Sequence, residues 1–173
     1  MELEKVLRGY RSAELAKKVV EHINALAKEV EEANIVHVCG THEYTIVKSG
    51  IRSLLPPNVE VRSGPGCPVC VCPPSDIDAA IELAFRPNIV VTTFGDMYRV
   101  PSTKYSLAEA AAKGASVRVV YGIGDAVELA KKMPDKEVVH FAIGFETTAP
   151  STAYVLSADP PPNFSIVPSH RLI

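Results

Sequence analysis

Cys39 is the residue of this 173-residue chain from which chemistry is most readily inferred. It ends a short apolar run and precedes Gly40, so it lies where a predicted strand gives way to a predicted helix. The amides at the start of a helix favour the thiolate, the metal-binding and nucleophilic form of cysteine. We expect Gly40 to permit a sharp turn and close backbone approach, and His42 to serve as a second ligand or a proton relay. Spacing alone leaves a buried structural cysteine beside a surface histidine equally open.

Three further cysteines lie close together in a loop that prolines make rigid. Cys67 and Cys70 have the C-x-x-C spacing, which lets two thiols close into a disulfide or hold one metal ion. Cys72 adds a third thiol, so a structural zinc site completed by Cys39 is an open alternative. The residues alone therefore predict either thiol redox chemistry or metal binding in this loop.

Two other segments predict contacts between an anion and backbone amides. Gly64 and Gly66 are expected to expose amides that could cradle an anion such as cyanide. Thr147 or Thr148, at the start of a predicted helix, could hold an anion or a neighbouring loop, although a plain helix cap explains the spacing more simply. The loop at Gly122 lacks the third glycine of a dinucleotide-binding motif, so nucleotide binding is not predicted.

The elements that position these residues alternate between strand and helix. Ser12 is expected to cap a first helix, and Ser75 a later one. Strands are predicted at 34–39 (buried), 59–61, 88–93, 117–121, 138–143 and 164–167, and helices at 41–55, 75–85, 106–109, 125–132 and 147–156. This order predicts an α/β fold of parallel sheets flanked by helices, with one complete Rossmann-like unit and a second unit that need not be complete. We place a first domain at 1–97 and a second, truncated domain at 98–173.

Ligands of parallel α/β sheets bind outside the carboxyl ends of the strands. Polar and glycine-rich segments follow several of the predicted strands, which places them on one edge of such a sheet. We call the residues expected to contact a ligand or partner there the predicted rim: Gly40, Thr41, Glu43, Gly64, Gly66, Cys72, Glu146, Thr147 and Thr148.

Composition narrows the function classes. The net charge is −2 and no basic stripe is visible, which argues against a nucleic-acid partner. No apolar stretch is long enough to cross a bilayer, and the first residues lack the order of a secretion signal. The sequence therefore predicts a cytoplasmic protein, and in that reducing compartment clustered cysteines indicate metal or redox chemistry.

Three ordered motifs resemble the signatures of the HypD family of hydrogenase maturation factors. They are residues 39–43 (CGTHE), 64–70 (GPGCPVC) and 144–150 (GFETTAP), and the similarity runs over nearly the whole chain. The resemblance implies a scaffold on which the Fe(CN)2(CO) unit of [NiFe]-hydrogenases is assembled. It also implies two protein partners, HypC and HypE, of which HypE delivers cyanide.

The resemblance also implies a role for each thiol. It assigns iron binding to Cys39, with His42 close by, and redox chemistry to Cys67 and Cys70. Cys72 departs from the family, which commonly has threonine there, so the third thiol could alter redox partnering or metal choice. Family members are about twice this length, and their C-terminal part carries the cysteines of a [4Fe-4S] cluster, so we expect a fragment without the cluster ligands. A thiol–disulfide oxidoreductase and a structural zinc-binding interaction protein are the alternative functions.

Overall fold

The structure, a computed structural model, describes residues 9–173. The chain divides at Cys67 into two compact units, Met1–Cys67 and Pro68–Ile173. In both units the strands run parallel and alternate with helices along the chain, which confirms the predicted α/β class.

The first unit contains a two-stranded sheet within its described part. Its elements are α1 (Ala13–Leu26), β1 (Ala33–His37), α2 (Gly40–Ser49) and β2 (Val59–Ser63), with 3-10 turns at Ala27–Glu29 and Ile51–Leu54. The predicted cap of α1 is confirmed, because Ser12 Oγ accepts the N–H of Leu15 at 3.2 Å. Helix α2 ends earlier than predicted, since Gly50 adopts the left-handed conformation (φ 65°) that terminates helices.

The prediction that the first strand is buried is wrong. Ile35 and Val36 of β1 are 52% and 56% exposed. Strand β1 pairs only with β2 in the described sheet, so an apolar run here does not mean burial on both faces.

The second unit contains a four-stranded parallel sheet in the order β4-β3-β5-β6. Its elements are α3 (Pro74–Ala84), β3 (Ile89–Phe94), α4 (Leu107–Ala112), β4 (Val117–Val120), α5 (Ile123–Lys132), β5 (Glu137–Gly144), α6 (Ala149–Ser157) and β6 (Phe164–His170), with a 3-10 turn at Met97–Arg99. The predicted capping box that opens α4 is confirmed, because Ser106 and Glu109 bond each other's amides at 2.7 and 3.2 Å. The predicted cap Ser75 lies inside α3 instead. Pro73 is the N-cap without a side-chain hydrogen bond, and Pro74 is the first helical residue, whose missing N–H needs no partner.

Buried side chains cover both faces of this second sheet. Val91, Val139 and Phe141 pack in one cluster with α3 and α4. Val90 and Val138 pack in the other cluster with α5. Because neighbouring residues of a strand point to opposite faces, the helices must lie on both sides of the sheet.

The compact units differ from the predicted domains, 1–97 and 98–173. Strand β3 pairs with β4 and β5, both of which lie beyond residue 97, so residues 68–97 belong with the second sheet. Among residues 9–173, no helix combines the length and apolar character that a membrane span requires.

Candidate functional site

Cys39 occupies the strand-to-helix position that the sequence predicts. It precedes the first residue of α2 with an extended backbone (φ −140°, ψ 123°), and its carbonyl accepts the N–H of Glu43 at 3.1 Å. Its side chain is half-buried and makes no capping hydrogen bond. The amide of His42, and to a lesser degree that of Thr41, favours the thiolate and lowers the pKa of Cys39. The expected electrostatics of this turn are confirmed, and iron binding by Cys39 stays a prediction.

We call Cys39 together with the first turn of α2 the Cys39 corner. Gly40 was expected to permit a sharp turn and a close backbone approach. It lies within α2, its φ is not positive, and a Cβ placed on it would meet nothing within 4 Å. The fold itself therefore does not require glycine at this position, and close approach of a ligand to its backbone stays a prediction.

Glu43, in the first turn of α2, is hydrogen-bonded to two other side chains. Both carboxylate oxygens of Glu43 accept from the terminal nitrogens of Arg52, each at 2.7 Å. Glu43 Oε2 also lies 2.7 Å from His37 Nε2. Arg52 donates its Nε–H to the carbonyl of Val61 at 2.9 Å, so the contacts tie α2 to the following turn and to β2. We call His37, Glu43 and Arg52 the positioning chain.

The charges of the positioning chain are matched. Arg52, and then His37, hold the pKa of Glu43 down to about 2. The side chain of His37 is only 10% exposed, and its Nδ1 has no hydrogen-bond partner in the described part of the chain. The ring of His37 meets that of His42 edge-on, with 6.2 Å between the centroids and 65° between the planes. His37 and Arg52 were not predicted as site residues, since neither belongs to a motif with recognisable spacing.

Gly64 uses its amide within the first unit. Its N–H donates to the carbonyl of His37 at 2.8 Å, so this amide is not exposed to an anion as predicted. A Cβ on Gly64 would lie 3.0 Å from that carbonyl oxygen and 3.1 Å from Val36, which explains the need for glycine. Gly66 has a φ of 127°, a conformation that other residues rarely adopt.

The thiols of the predicted C-x-x-C-x-C run differ in exposure. Cys70 is exposed and Cys67 is half-buried, and redox chemistry of this pair stays a prediction. Cys72 is buried in the core of the second unit, where its Sγ lies 3.4 Å from the hydroxyl of Ser169 and burial raises its pKa. Cys72 therefore lies in the core rather than on the predicted rim. Nowhere in residues 9–173 do three or more His, Cys, Asp or Glu side chains group in a way that could hold a metal ion. The zinc alternative stays a prediction.

A cavity of about 400 Å³ opens in the second unit at the carboxyl ends of its strands. Its lining includes Pro68, Val69, Phe94, Asp96, Tyr121, Thr147, Thr148 and Ser151. The predicted rim residues Thr147 and Thr148 thus lie at a ligand-sized opening, together with the two residues between Cys67 and Cys70.

At the helix starts around this cavity, several amides are hydrogen-bonded within the chain. The carboxylate of Asp125 accepts the N–H groups of Tyr121 and Gly122 at 3.1 and 3.2 Å, which fits the absence of a nucleotide motif. The N–H of Thr148 donates to the carbonyl of Phe145 at 3.0 Å, and that of Ala149 does so at 3.1 Å. Thr148 makes no side-chain cap, so the helix-cap expectation is wrong for this residue, and contact of Thr147 or Thr148 with an anion or a neighbouring loop stays a prediction. The third rim residue of this motif, Glu146, accepts the N–H of Ile173 at 2.9 Å.

The similarity of the chain to known proteins agrees with the three motifs. The family model for HypD, described as the hydrogenase formation hypA family, matches residues 14–173. The chain belongs to the HypD family. The matched range covers all three motifs, the second compact unit and the first compact unit from residue 14 onwards.

Individual HypD-family relatives match at high identity. A protein of Methanocaldococcus jannaschii named for hydrogenase expression/formation is 51% identical over 160 residues, which is 91% of this chain and 44% of the relative. The hydrogenase maturation factor HypD of Rhizobium leguminosarum bv. viciae is 48% identical over 172 residues, 97% of this chain and 45% of the relative. That of Escherichia coli K12 is 45% identical over 152 residues, 85% of this chain and 41% of the relative. The chain thus spans about half the length of the curated relatives that it matches.

Proposed function

We propose that this chain serves hydrogenase maturation as a scaffold that holds iron through Cys39 while cyanide and carbonyl ligands are added. The observation that supports the proposal is the Cys39 corner, where a half-exposed sulfur is favoured as thiolate by the amides of α2. Low-spin ferrous iron carrying cyanide and carbonyl is a soft centre, for which thiolate is a suitable ligand. Relatives named hydrogenase maturation factor HypD add support from similarity.

The proposal gives each remaining residue a role. His42 is the second donor or the proton relay beside Cys39, and Cys67 and Cys70 are the redox thiols. The cyanide and carbonyl ligands that are added occupy coordination positions on the iron, so few protein donors are needed, and we assign Cys39 and His42 as that pair. HypC and HypE are the proposed partners and the cytoplasm the proposed compartment, because reduced thiols are required.

Infrared spectroscopy tests the scaffold directly. The chain is purified anaerobically after co-production with HypC and the cyanide-supplying proteins, and the cyanide and carbonyl stretching bands are recorded. Cys39→Ser is expected to abolish the bands, because it removes the soft ligand. Cys72→Ser is the matched control, since that thiol lies in the core and its loss should leave the bands in place. Bands that persist in Cys39→Ser would refute the proposal.

Thiol–disulfide exchange at Cys67 and Cys70 is a second candidate, favoured by the exposure of Cys70. Reduction of insulin by the chain, with Cys67→Ser as the inactive variant, measures this activity. Turnover that depends on Cys67, in a chain that shows no infrared bands, would favour the oxidoreductase over the scaffold. Stoichiometric zinc without bands would instead favour a structural zinc protein.

A further inference from the structure

The positioning chain is connected to the Cys39 corner through Glu43. Its carboxylate belongs to Glu43, whose own N–H closes the first turn of α2 on the carbonyl of Cys39 at 3.1 Å. That carboxylate is held on one side by two bonds from Arg52 and on the other by the ring of His37. Arg52 is fixed in turn by the carbonyl of Val61 in β2. The first turn of α2 is therefore anchored to both strands of the sheet and to the turn after the helix.

The direction of the bond between His37 and Glu43 follows from charge. Glu43 is paired with a guanidinium and is ionised, so its oxygens can only accept. His37 must therefore donate from Nε2, which fixes both its tautomer and the orientation of its ring. The fixed ring lies edge-on to His42, the neighbour of Glu43 in the same turn. Fixing the His37 ring thus restricts the positions open to the His42 imidazole.

We propose that His37 and Arg52 are positioning residues for the metal-holding groups of the Cys39 corner. They act through Glu43, which they hold in one place, and so keep Cys39 and His42 in a single arrangement before the metal arrives. Partners that orient ligands in this way contribute strongly to metal affinity although they never touch the metal. The inference rests on the proposed function, and it adds two residues outside the CGTHE motif to the site.

The hydrogen bonds of Asn58 in the same unit provide a control that separates an effect on positioning from a general loss of stability. The amide nitrogen of Asn58 donates to the carbonyls of Ala27 and Val30 at 2.8 and 3.0 Å. These bonds join the loop before β2 to the end of the first helical segment and touch none of the positioning chain. Asn58→Ala should weaken the fold of the unit without disturbing the Cys39 corner, so it serves as the structural control.

Anaerobic titration of the whole chain with Co²⁺ tests the proposal. The titrated chains all carry Cys67→Ser and Cys70→Ser, because these two thiols could also bind cobalt. The thiolate-to-cobalt charge-transfer band then reports ligation by Cys39 and should be absent when Cys39→Ser is added. His37→Leu and Arg52→Gln are each expected to weaken the Cys39-dependent binding at least about 10-fold. His37→Gln, which keeps a donor for Glu43, should stay within about 3-fold of the unsubstituted chain, and so should Asn58→Ala.

These measurements separate failure of the positioning role from failure of the scaffold proposal. Suppose that the band is lost in Cys39→Ser but His37→Leu and Arg52→Gln bind cobalt as tightly as the unsubstituted chain. This result overturns the positioning role and leaves the scaffold proposal intact. An equal loss in Asn58→Ala also overturns it, because general destabilisation would then explain the effect. A band that survives in Cys39→Ser refutes the scaffold itself. Should either disruptive variant fail to fold by circular dichroism, Arg52→Lys decides, since it keeps the charge but loses the two-pronged contact and should bind at least about 3-fold more weakly.

Discussion

The Cys39 corner and the turn between β5 and α6 both lead from a strand into a helix, but the helix amides are used differently in the two places. At the Cys39 corner, between β1 and α2, the amides of His42 and Thr41 act on a half-exposed sulfur. At the corner after β5, the amides of Thr148 and Ala149 are used by a backbone carbonyl, and the turn packs closely. A helix start therefore supports chemistry only where its amides are left to a side chain that can reach solvent.

The contrast extends to the polar groups around each corner. In the first unit, the charge of Glu43 is paired with Arg52, and His37 adds a hydrogen bond to the same carboxylate. In the second unit, His140 is fully buried in β5, where one ring nitrogen lies 3.0 Å from the hydroxyl of Thr92 and the other has no partner in the described residues. The first region holds the charge of Glu43 in place, whereas burial in the second region disfavours a charge on His140.

The largest expected difference between the two units is in the rate at which their cysteines are alkylated. Cys39 is half-exposed with a lowered pKa, whereas Cys72 is 7% exposed with a pKa raised by burial. At neutral pH we expect iodoacetamide to modify Cys39 at least about 1000-fold faster, because Cys72 must first be exposed by local opening. Mass spectrometry of the cysteine-containing peptides separates the two rates. In denaturant the rates should converge, and similar rates in the folded chain would contradict the comparison.

The dependence of stability on pH gives the next largest effect. Burial, and then the charge of His170, lowers the pKa of His140 from 6.5 to about 4. The unfolded chain therefore binds the extra proton first, so the free energy of unfolding of the second unit should fall as the pH drops from 6.5 towards 4. The expected loss is about 3 kcal/mol. Hydrogen exchange of the amides of Val139 and Phe141 measures it, and His140→Gln should flatten the dependence.

The first unit should respond in a different pH window, which provides the control. Glu43 has its pKa lowered to about 2, so its contribution is present above its ordinary value near 4.5 and is lost as the pH falls from there towards 2. Amide exchange in α2 should therefore change little between pH 7 and pH 5. Parallel loss of protection in both units over that range would mean that His140 is not the cause.

Local signals in the sequence were sufficient for much of the fold. The Ser12 cap and the capping box of Ser106 and Glu109 were predictable because a cap depends on residues within one helical turn. The alternation of strand and helix, and the thiolate-favouring position of Cys39, follow from the same short-range patterns. Properties that depend on neighbours distant in sequence were not predictable in this way.

Three failures show what was missing. The exposure of Ile35 depends on how many strands flank β1, and the burial of Cys72 depends on Ser169, which is 97 residues away. The pairing of Arg52 with Glu43 spans nine residues and two elements, so no helical or strand period reveals it. Each case needs the tertiary arrangement, which the sequence pattern does not supply.

Replacing one glycine by alanine at each corner, Gly144 or Gly40, compares their packing, and it has the smallest expected effect on the free energy of unfolding. In Gly144→Ala the new methyl group would lie 2.7 Å from Thr148 Oγ1 and 2.8 Å from its Cγ2, so the turn after β5 must shift. We expect a loss of about 2 kcal/mol in the free energy of unfolding of the second unit. In Gly40→Ala the methyl group meets nothing within 4 Å, and alanine favours the helix, so the first unit should gain up to about 1 kcal/mol. Denaturation followed by hydrogen exchange in each unit measures both changes. Equal losses at the two positions would show that the Cys39 corner is as tightly packed as its counterpart, and an open thiolate there would no longer be tenable.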